Sequence, residues 1–262
     1  MSERTSTRQR LLWGAKSRDW AEVQEGTVNA LYEAALGTAS VGAGTRLCDV
    51  GCGAGGALAM AAARGATVAG LDATPELLAI AAERVAAADL HEGDIEELPW
   101  ADDSFDVVTG FNSFQFAGDP ERALREARRV TVTGGKVVVA TWGRPEQCHA
   151  AAYLKGAGGL MPPAPPGAEG PFALSEPGKL EALVERAGLR ALGAADVETV
   201  WSYPDIATAV RGLNSAGPLV LAAQHLGEEA AREMTTKFVS EYADTSGAVT
   251  LRNVFRYLVA EA

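Results

Sequence analysis

The chain has 262 residues, 47% hydrophobic and 22% charged, with a formal net charge of −11 at pH 7. That length holds one large α/β domain or a domain with a modest cap, and no segment approaches the ~18–20 uninterrupted apolar residues of a membrane span, so no membrane association is expected. The acidic balance repels phosphate backbones, which disfavours nucleic acid as a partner.

Residues 5–37 read as one or two helices, with Trp20, Val23, Val28, Leu31 and Ala35 at near-helical spacing. A first strand spans Thr45–Val50 and a small-residue helix Gly55–Ala63 follows it. Thr67–Leu71 reads as a second strand. Thr74-Pro75-Glu76 starts a helix, with Thr as cap, Pro in the first turn and Glu at the positive end. Ala88–Glu92 is a short third strand and Phe105–Gly110 a fourth. Asp119-Pro120-Glu121 repeats the capping logic for a helix to Val130. Gly134-Gly135 turns into a fifth strand, Lys136–Thr141. Such alternation predicts a parallel, doubly wound sheet.

The composition then shifts. Between Trp142 and Pro171 lie Pro145, Pro162, Pro163, Pro165 and Pro166, a loop-rich excursion with one helix around Gln147–Lys155. Leu180, Leu183, Val184 and Ala187 share a helical face that Gly188 ends. Arg190–Trp201 reads as a sixth strand. Residues 205–245 are helical again, and Val249–Ala260 is a last strand.

The chemistry concentrates in Cys48-Asp49-Val50-Gly51-Cys52-Gly53-Ala54-Gly55-Gly56, a glycine loop between strand and helix. Glycines serve where backbone turns sharply and a ligand approaches closely. Asp72 ends the second strand and Asp94 follows the third. Gly51-x-Gly53-x-x-Gly56 with Asp72 also satisfies the dinucleotide fingerprint. Asp49 argues against that reading, because a carboxylate two residues before Gly51 suits a cationic amino group rather than a pyrophosphate.

On these residues the sequence resembles the class I S-adenosylmethionine-dependent methyltransferases, whose first motif is Asp/Glu-x-Gly-x-Gly-x-Gly. Asp49, Gly51, Gly53 and Gly55 match it position by position, and the small-molecule branch with the ubiquinone and menaquinone C-methyltransferases is the most similar. The resemblance implies a Rossmann-like seven-stranded sheet with its last strand antiparallel, plus a helical cap. It implies S-adenosyl-L-methionine as cofactor, held by Asp49 at the ammonium, Gly51, Gly53 and Gly55 at the amino-acid chain, Asp72 and Ala73 at the ribose, Asp94 and Ile95 at the adenine, and Phe111 at the site border. Residues 1–262 are expected to form a single domain, with 5–37 as an N-terminal helical cap and 205–245 as a helical lid insertion. The acceptor is expected to be a small, apolar or aromatic molecule. The chain lacks Asn/Asp-Pro-Pro-Tyr/Phe after the fourth strand, where Gly110-Phe111-Asn112-Ser113-Phe114-Gln115-Phe116 stands instead; this argues against nucleobases.

No catalytic residue is assigned. His149, His225, Tyr153, Tyr203 and Tyr242 are candidate bases, and His91 reads as structural. Phe114 and Phe116 read equally as pocket lining or core. Asp102, Asp103 and Asp106 form an acidic cluster that lacks a third ordered ligand, so no metal is expected. Glu96 and Glu97 read as solvated, as does the arginine-rich face of Arg122, Arg125, Arg128 and Arg129. The residues Met1-Ser2-Glu3-Arg4-Thr5 offer no apolar signal core, and three cysteines without framework spacing fit a reducing cytoplasm. A homodimer is left open. The rival functions are an NAD(P)-dependent oxidoreductase, which would want a Tyr-x-x-x-Lys that the chain lacks, and an inactive binding protein on the same fold.

Overall fold

A computed structural model describes residues 5–159 and 170–262; Pro162, Pro163, Pro165 and Pro166 of the expected loop lie outside them. Seven strands form one sheet: β1 Arg46–Val50, β2 Thr67–Asp72, β3 Asp89–Glu92, β4 Phe105–Phe111, β5 Thr131–Trp142, β6 Arg190–Tyr203 and β7 Val249–Glu261. Their order is β3-β2-β1-β4-β5-β7-β6. The β1–β2, β1–β4, β2–β3 and β4–β5 pairs are parallel, and β7 is antiparallel to both β5 and β6. The fold is the expected one, a Rossmann-like sheet with the last strand reversed.

The order reverses at β1, where β2 lies on one side and β4 on the other. In open α/β sheets ligands bind at the carboxyl ends of strands beside such a switch point, and the glycine loop lies there. Both sheet faces are covered. Leu31, Leu36, Leu47 and Leu58 are fully buried on one face, as are Leu124, Leu180, Val184 and Leu258 on the other.

Local chemistry explains most element boundaries. The Asp119 side chain accepts from the Arg122 amide at 3.0 Å and starts the helix Pro120–Val130. Gly188, at φ +82°, ends the helix Lys179–Arg186. Two local details differ from expectation. The Thr74 hydroxyl makes no capping bond to the helix Pro75–Arg84. Instead Asp72 accepts from the Thr74 amide at 2.8 Å. Strand β5 begins at Thr131 and runs through Gly134-Gly135, because Phe105 pairs with Thr131 before the register shifts to Val107–Lys136. In β7 Val249, Leu251, Asn253, Phe255 and Tyr257 take one core face.

The arginine-rich helix face is only partly solvated. Arg129 donates to the Leu98 and Trp100 carbonyls at 3.0 and 2.8 Å and pairs with Asp102 at 2.9 Å and Glu126 at 2.8 Å, so it holds the 98–102 segment to the helix. Asp106 is engaged separately, accepting from the Arg46 amide at 2.8 Å and its guanidinium at 2.7 Å. Glu96 accepts from the Asp119 amide at 2.9 Å and is therefore a turn-ordering group.

Candidate active site

The glycine loop leaves β1 by a sharp turn. The Gly51 and Cys52 amides both donate to the Leu71 carbonyl of β2, at 2.7 and 3.0 Å. Gly51 has φ +78°, and a Cβ there would lie 2.4 Å from the Ser113 Cβ, so this position admits no side chain. Gly55 has φ +83° and opens the helix Gly56–Ala63; its missing Cβ would lie 2.9 Å from Ala81. Gly55 therefore sets the approach of two helices and, unlike Gly51 and Gly53, does not line the cavity.

A cavity of about 210 Å³ opens beside this loop. It is walled by Gly51, Gly53, Asp72, Ala73, Asp94 and Ile95 at one end and by Phe111, Trp142, Trp201 and Phe255 at the other. Asp72 accepts from the Gly53 amide at 2.9 Å as well as from Thr74, which fixes its carboxylate against the loop. Burial pushes its pKa up, against the pull of those amides. Asp94 accepts from the Glu96 amide at 3.0 Å and from the Ser6 hydroxyl at 2.8 Å.

Asp49 is only 2% exposed and does not reach the cavity wall. It accepts from the Thr109 hydroxyl of β4 at 2.7 Å. Desolvation pushes its carboxyl up to about 7; the Thr109 bond opposes this, and the charges of Glu25 and Asp72 add to it.

Sequence reasoning missed Glu25. It is 4% exposed, and Oε1 accepts from the Ala54 and Gly56 amides at 3.1 and 3.4 Å. Oε2 pairs with Arg84, which also donates to the carbonyls of Ala54 at 2.9 Å and Ala21 at 2.6 Å. Burial raises the Glu25 pKa, while Arg84 pulls it down. The amides that begin the helix after a glycine loop form the usual anion site of a dinucleotide fold. Here a carboxylate of the chain itself fills it and an arginine neutralises that carboxylate. Residues 20–28 hold two glutamates, Glu22 and Glu25, and no local pattern marks the one that makes this contact, which spans 29 residues.

Residues of the 5–37 segment form one side of the cavity: Ser6, Trp13, Trp20, Gln24 and Tyr32, with Trp13 and Trp20 ring centroids 4.8 Å apart, edge to face. Leu213, Ala216 and Leu219, from the 205–245 segment, form another part. That segment comprises helices Ile206–Leu213, Gly217–Leu226 and Glu228–Ser240. Tyr203 donates to Gln24 at 2.8 Å, tying β6 to the N-terminal segment.

The candidate bases separate in three dimensions. None of the three histidines lines the cavity. His149 stacks on Tyr242 and accepts from the Arg252 amide at 3.3 Å; His225 is exposed at a helix end; His91 pairs with Asp89 at 3.0 Å. Tyr153 does line the cavity, but its hydroxyl is bound by Asn214 at 3.2 Å and by Thr235, and burial raises its pKa. Phe114 is fully buried core, whereas Phe116 reaches the cavity. Among the described residues no three His, Cys, Asp or Glu side chains gather as a metal site.

The sequence and the fold are similar to those of known proteins. Residues 48–139 match the family described as methyltransferase domain. An uncharacterised protein of Mycobacterium tuberculosis, Rv1405c, is 37% identical over 128 residues, covering 47% of each chain. A malonyl-[acyl-carrier protein] O-methyltransferase of Erwinia pyrifoliae is 32% identical over 185 residues, 71% of this chain and 66% of that one. The structure of a SAM-dependent methyltransferase from Aquifex aeolicus superposes with a TM-score of 0.53 at 20% identity, over 70% of this chain and 92% of that one. Fold, loop and matches together define a class I S-adenosylmethionine-dependent methyltransferase domain. The chain spans about half the length of the first curated relatives it matches.

Proposed function

We propose that the protein transfers a methyl group from S-adenosylmethionine to a small, apolar or aromatic acceptor held in the same cavity. The observation that carries this reading over a nicotinamide enzyme is Glu25. With its carboxylate on the Ala54 and Gly56 amides, a pyrophosphate would meet a filled site. S-adenosylmethionine carries no phosphate, so the filled site costs it nothing.

In this reading the Asp72 carboxylate, with Ala73 beside it, holds the ribose hydroxyls. Asp94 and Ile95 address the adenine, Gly51 and Gly53 admit the amino-acid chain, Asp49 supplies negative charge beneath it, and Phe111 borders the transfer point. Gly55 supports the loop from behind. The bound cofactor supplies an electrophilic methyl on a sulfonium. The chain's own contribution is alignment and exclusion of water; residues 5–37 and 205–245 act as cap and lid toward that end. A quinone-like acceptor, as in the C-methyltransferases the sequence resembles, falls within this reading. Among the described residues no helix is long and apolar enough to cross a membrane, and the three free, buried cysteines support a cytoplasmic setting.

Calorimetry on metal-free protein tests the proposal. S-adenosylmethionine and its demethylated product should both release heat, and NAD should not. Heat with NAD alone would overturn it.

A further inference from the structure

Every amide of the glycine loop already donates within the chain. Those of Gly51 and Cys52 go to the Leu71 carbonyl, Gly53 to Asp72, Ala54 and Gly56 to Glu25, and Gly55 to the Cys52 carbonyl at 3.0 Å. Nor does any Lys or Arg side chain line the cavity among the described residues. A methionine moiety lying along Gly51 and Gly53 nonetheless brings a carboxylate, and a carboxylate taken out of water without a donor is costly. Within this chain only a side chain can supply that donor.

Trp20 offers one at the right place. A Cβ set on Gly53 would meet two atoms within 4 Å, Glu25 Oε1 at 3.5 Å and Trp20 Nε1 at 3.9 Å. Glu25 is an acceptor, holds two amides and stands outside the cavity wall, whereas Trp20 is a donor and forms part of that wall. Trp20 is half-buried. Its Nε1 has no hydrogen-bond partner and, unlike the sealed Nε1 of Trp201, keeps accessible surface. The neighbouring donors are spent: Trp13 gives its Nε1–H to Gln9 at 3.0 Å, and Ser6 gives its hydroxyl to Asp94 at 2.8 Å. The ring of Tyr32 stands against Gly56 instead, with Cε2 3.2 Å from where a Cβ would lie there.

The backbone that carries Trp20 is tied to the same loop. Trp20–Gln24 is a π-helical turn, a form that recurs at functional sites. Arg84 donates both to the Ala21 carbonyl, next to Trp20, at 2.6 Å and to the Ala54 carbonyl at 2.9 Å. The Trp13 ring packs edge to face on Trp20 at 4.8 Å. The indole N–H is thus set beside Gly53 by contacts the chain makes with itself.

We propose that Trp20 is a cofactor-binding residue that donates its indole N–H to the carboxylate of the methionine moiety of S-adenosylmethionine. This rests on the methyltransferase reading, and gives the N-terminal segment a direct polar contact with the cofactor in addition to cover.

Two ligands and one variant test it. S-adenosylmethionine and its decarboxylated form, which keeps the amine, sulfonium, ribose and adenine, are titrated calorimetrically into the full chain and into Trp20→Phe. The variant keeps a ring and removes the N–H. It should bind S-adenosylmethionine about ten- to hundredfold more weakly, the loss of one hydrogen bond to a charged group, and the decarboxylated form within about threefold of wild type. Equal losses for the two ligands would reduce Trp20 to packing, and no loss for either would place the carboxylate elsewhere; both results overturn the inference and leave the methyltransferase reading standing. Should the variant not fold, or the decarboxylated form not bind, the wild-type protein still decides. One of its five tryptophan indole N–H resonances should move downfield with S-adenosylmethionine and not with adenosine, which lacks the methionine moiety. No such resonance, with S-adenosylmethionine bound, would equally overturn the inference. Failure of S-adenosylmethionine itself to bind the wild-type chain would overturn both readings.

Discussion

Asp49→Asn should change how stability depends on pH in the cofactor-free protein. Asp49 is 2% exposed, and burial lifts its carboxyl from 3.8 to about 7. A carboxyl whose folded value lies above its unfolded one binds its proton more tightly when folded. Its contribution to stability is therefore complete below about pH 4 and is lost as pH climbs through about 7. Between pH 5 and pH 9 the loss runs over roughly two units of pH before it saturates, which is about 2–3 kcal/mol at 1.36 kcal/mol per unit. Asparagine keeps an oxygen for the Thr109 hydroxyl, bound at 2.7 Å in the wild type, and has no proton to lose. Urea unfolding of both proteins at pH 5, 6, 7, 8 and 9 measures the difference. Relative to wild type, Asp49→Asn should gain about 2–3 kcal/mol across that range, whatever fixed offset the new amide donors impose. A difference that stays constant with pH would mean that Asp49 titrates normally and that the folded chain does not desolvate it.

Other substitutions separate structural from binding roles. Glu25→Ala strands the Arg84 guanidinium and the Ala54 and Gly56 amides, and should cost about 3–5 kcal/mol in urea unfolding; a loss under about 1 kcal/mol would show the pair to be dispensable. Asp72→Ala should weaken S-adenosylhomocysteine binding by roughly 2–4 kcal/mol in calorimetry. It should also cost about 1–3 kcal/mol of stability, because the Gly53 and Thr74 amides lose their acceptor; unchanged affinity in a folded variant would place the ribose elsewhere. Hydrogen exchange should slow in residues 5–37 and 205–245 when S-adenosylhomocysteine is added, whereas protection confined to the glycine loop and Asp94 would remove the cap and lid roles.

The sequence by itself determined the strands around the glycine loop, the positions of Asp72 and Asp94 at strand ends, and the Asp119 cap. Each is a local matter: strand alternation, helical spacing and turn chemistry are written within a few residues. Only the tertiary structure decided what meets the loop. Glu25 reaches Ala54 across 29 residues and Arg84 across 59, and no periodicity encodes such a pair. The same holds for Trp142, Trp201 and Phe255, which come together because β7 inserts between β5 and β6. It holds too for Arg129, a surface residue by pattern that the fold turns onto the Leu98 and Trp100 carbonyls. Residue spacing states which face a side chain takes on its own element; strand order and register state which other faces it finds there, and the aromatic end of this cavity was built by the second.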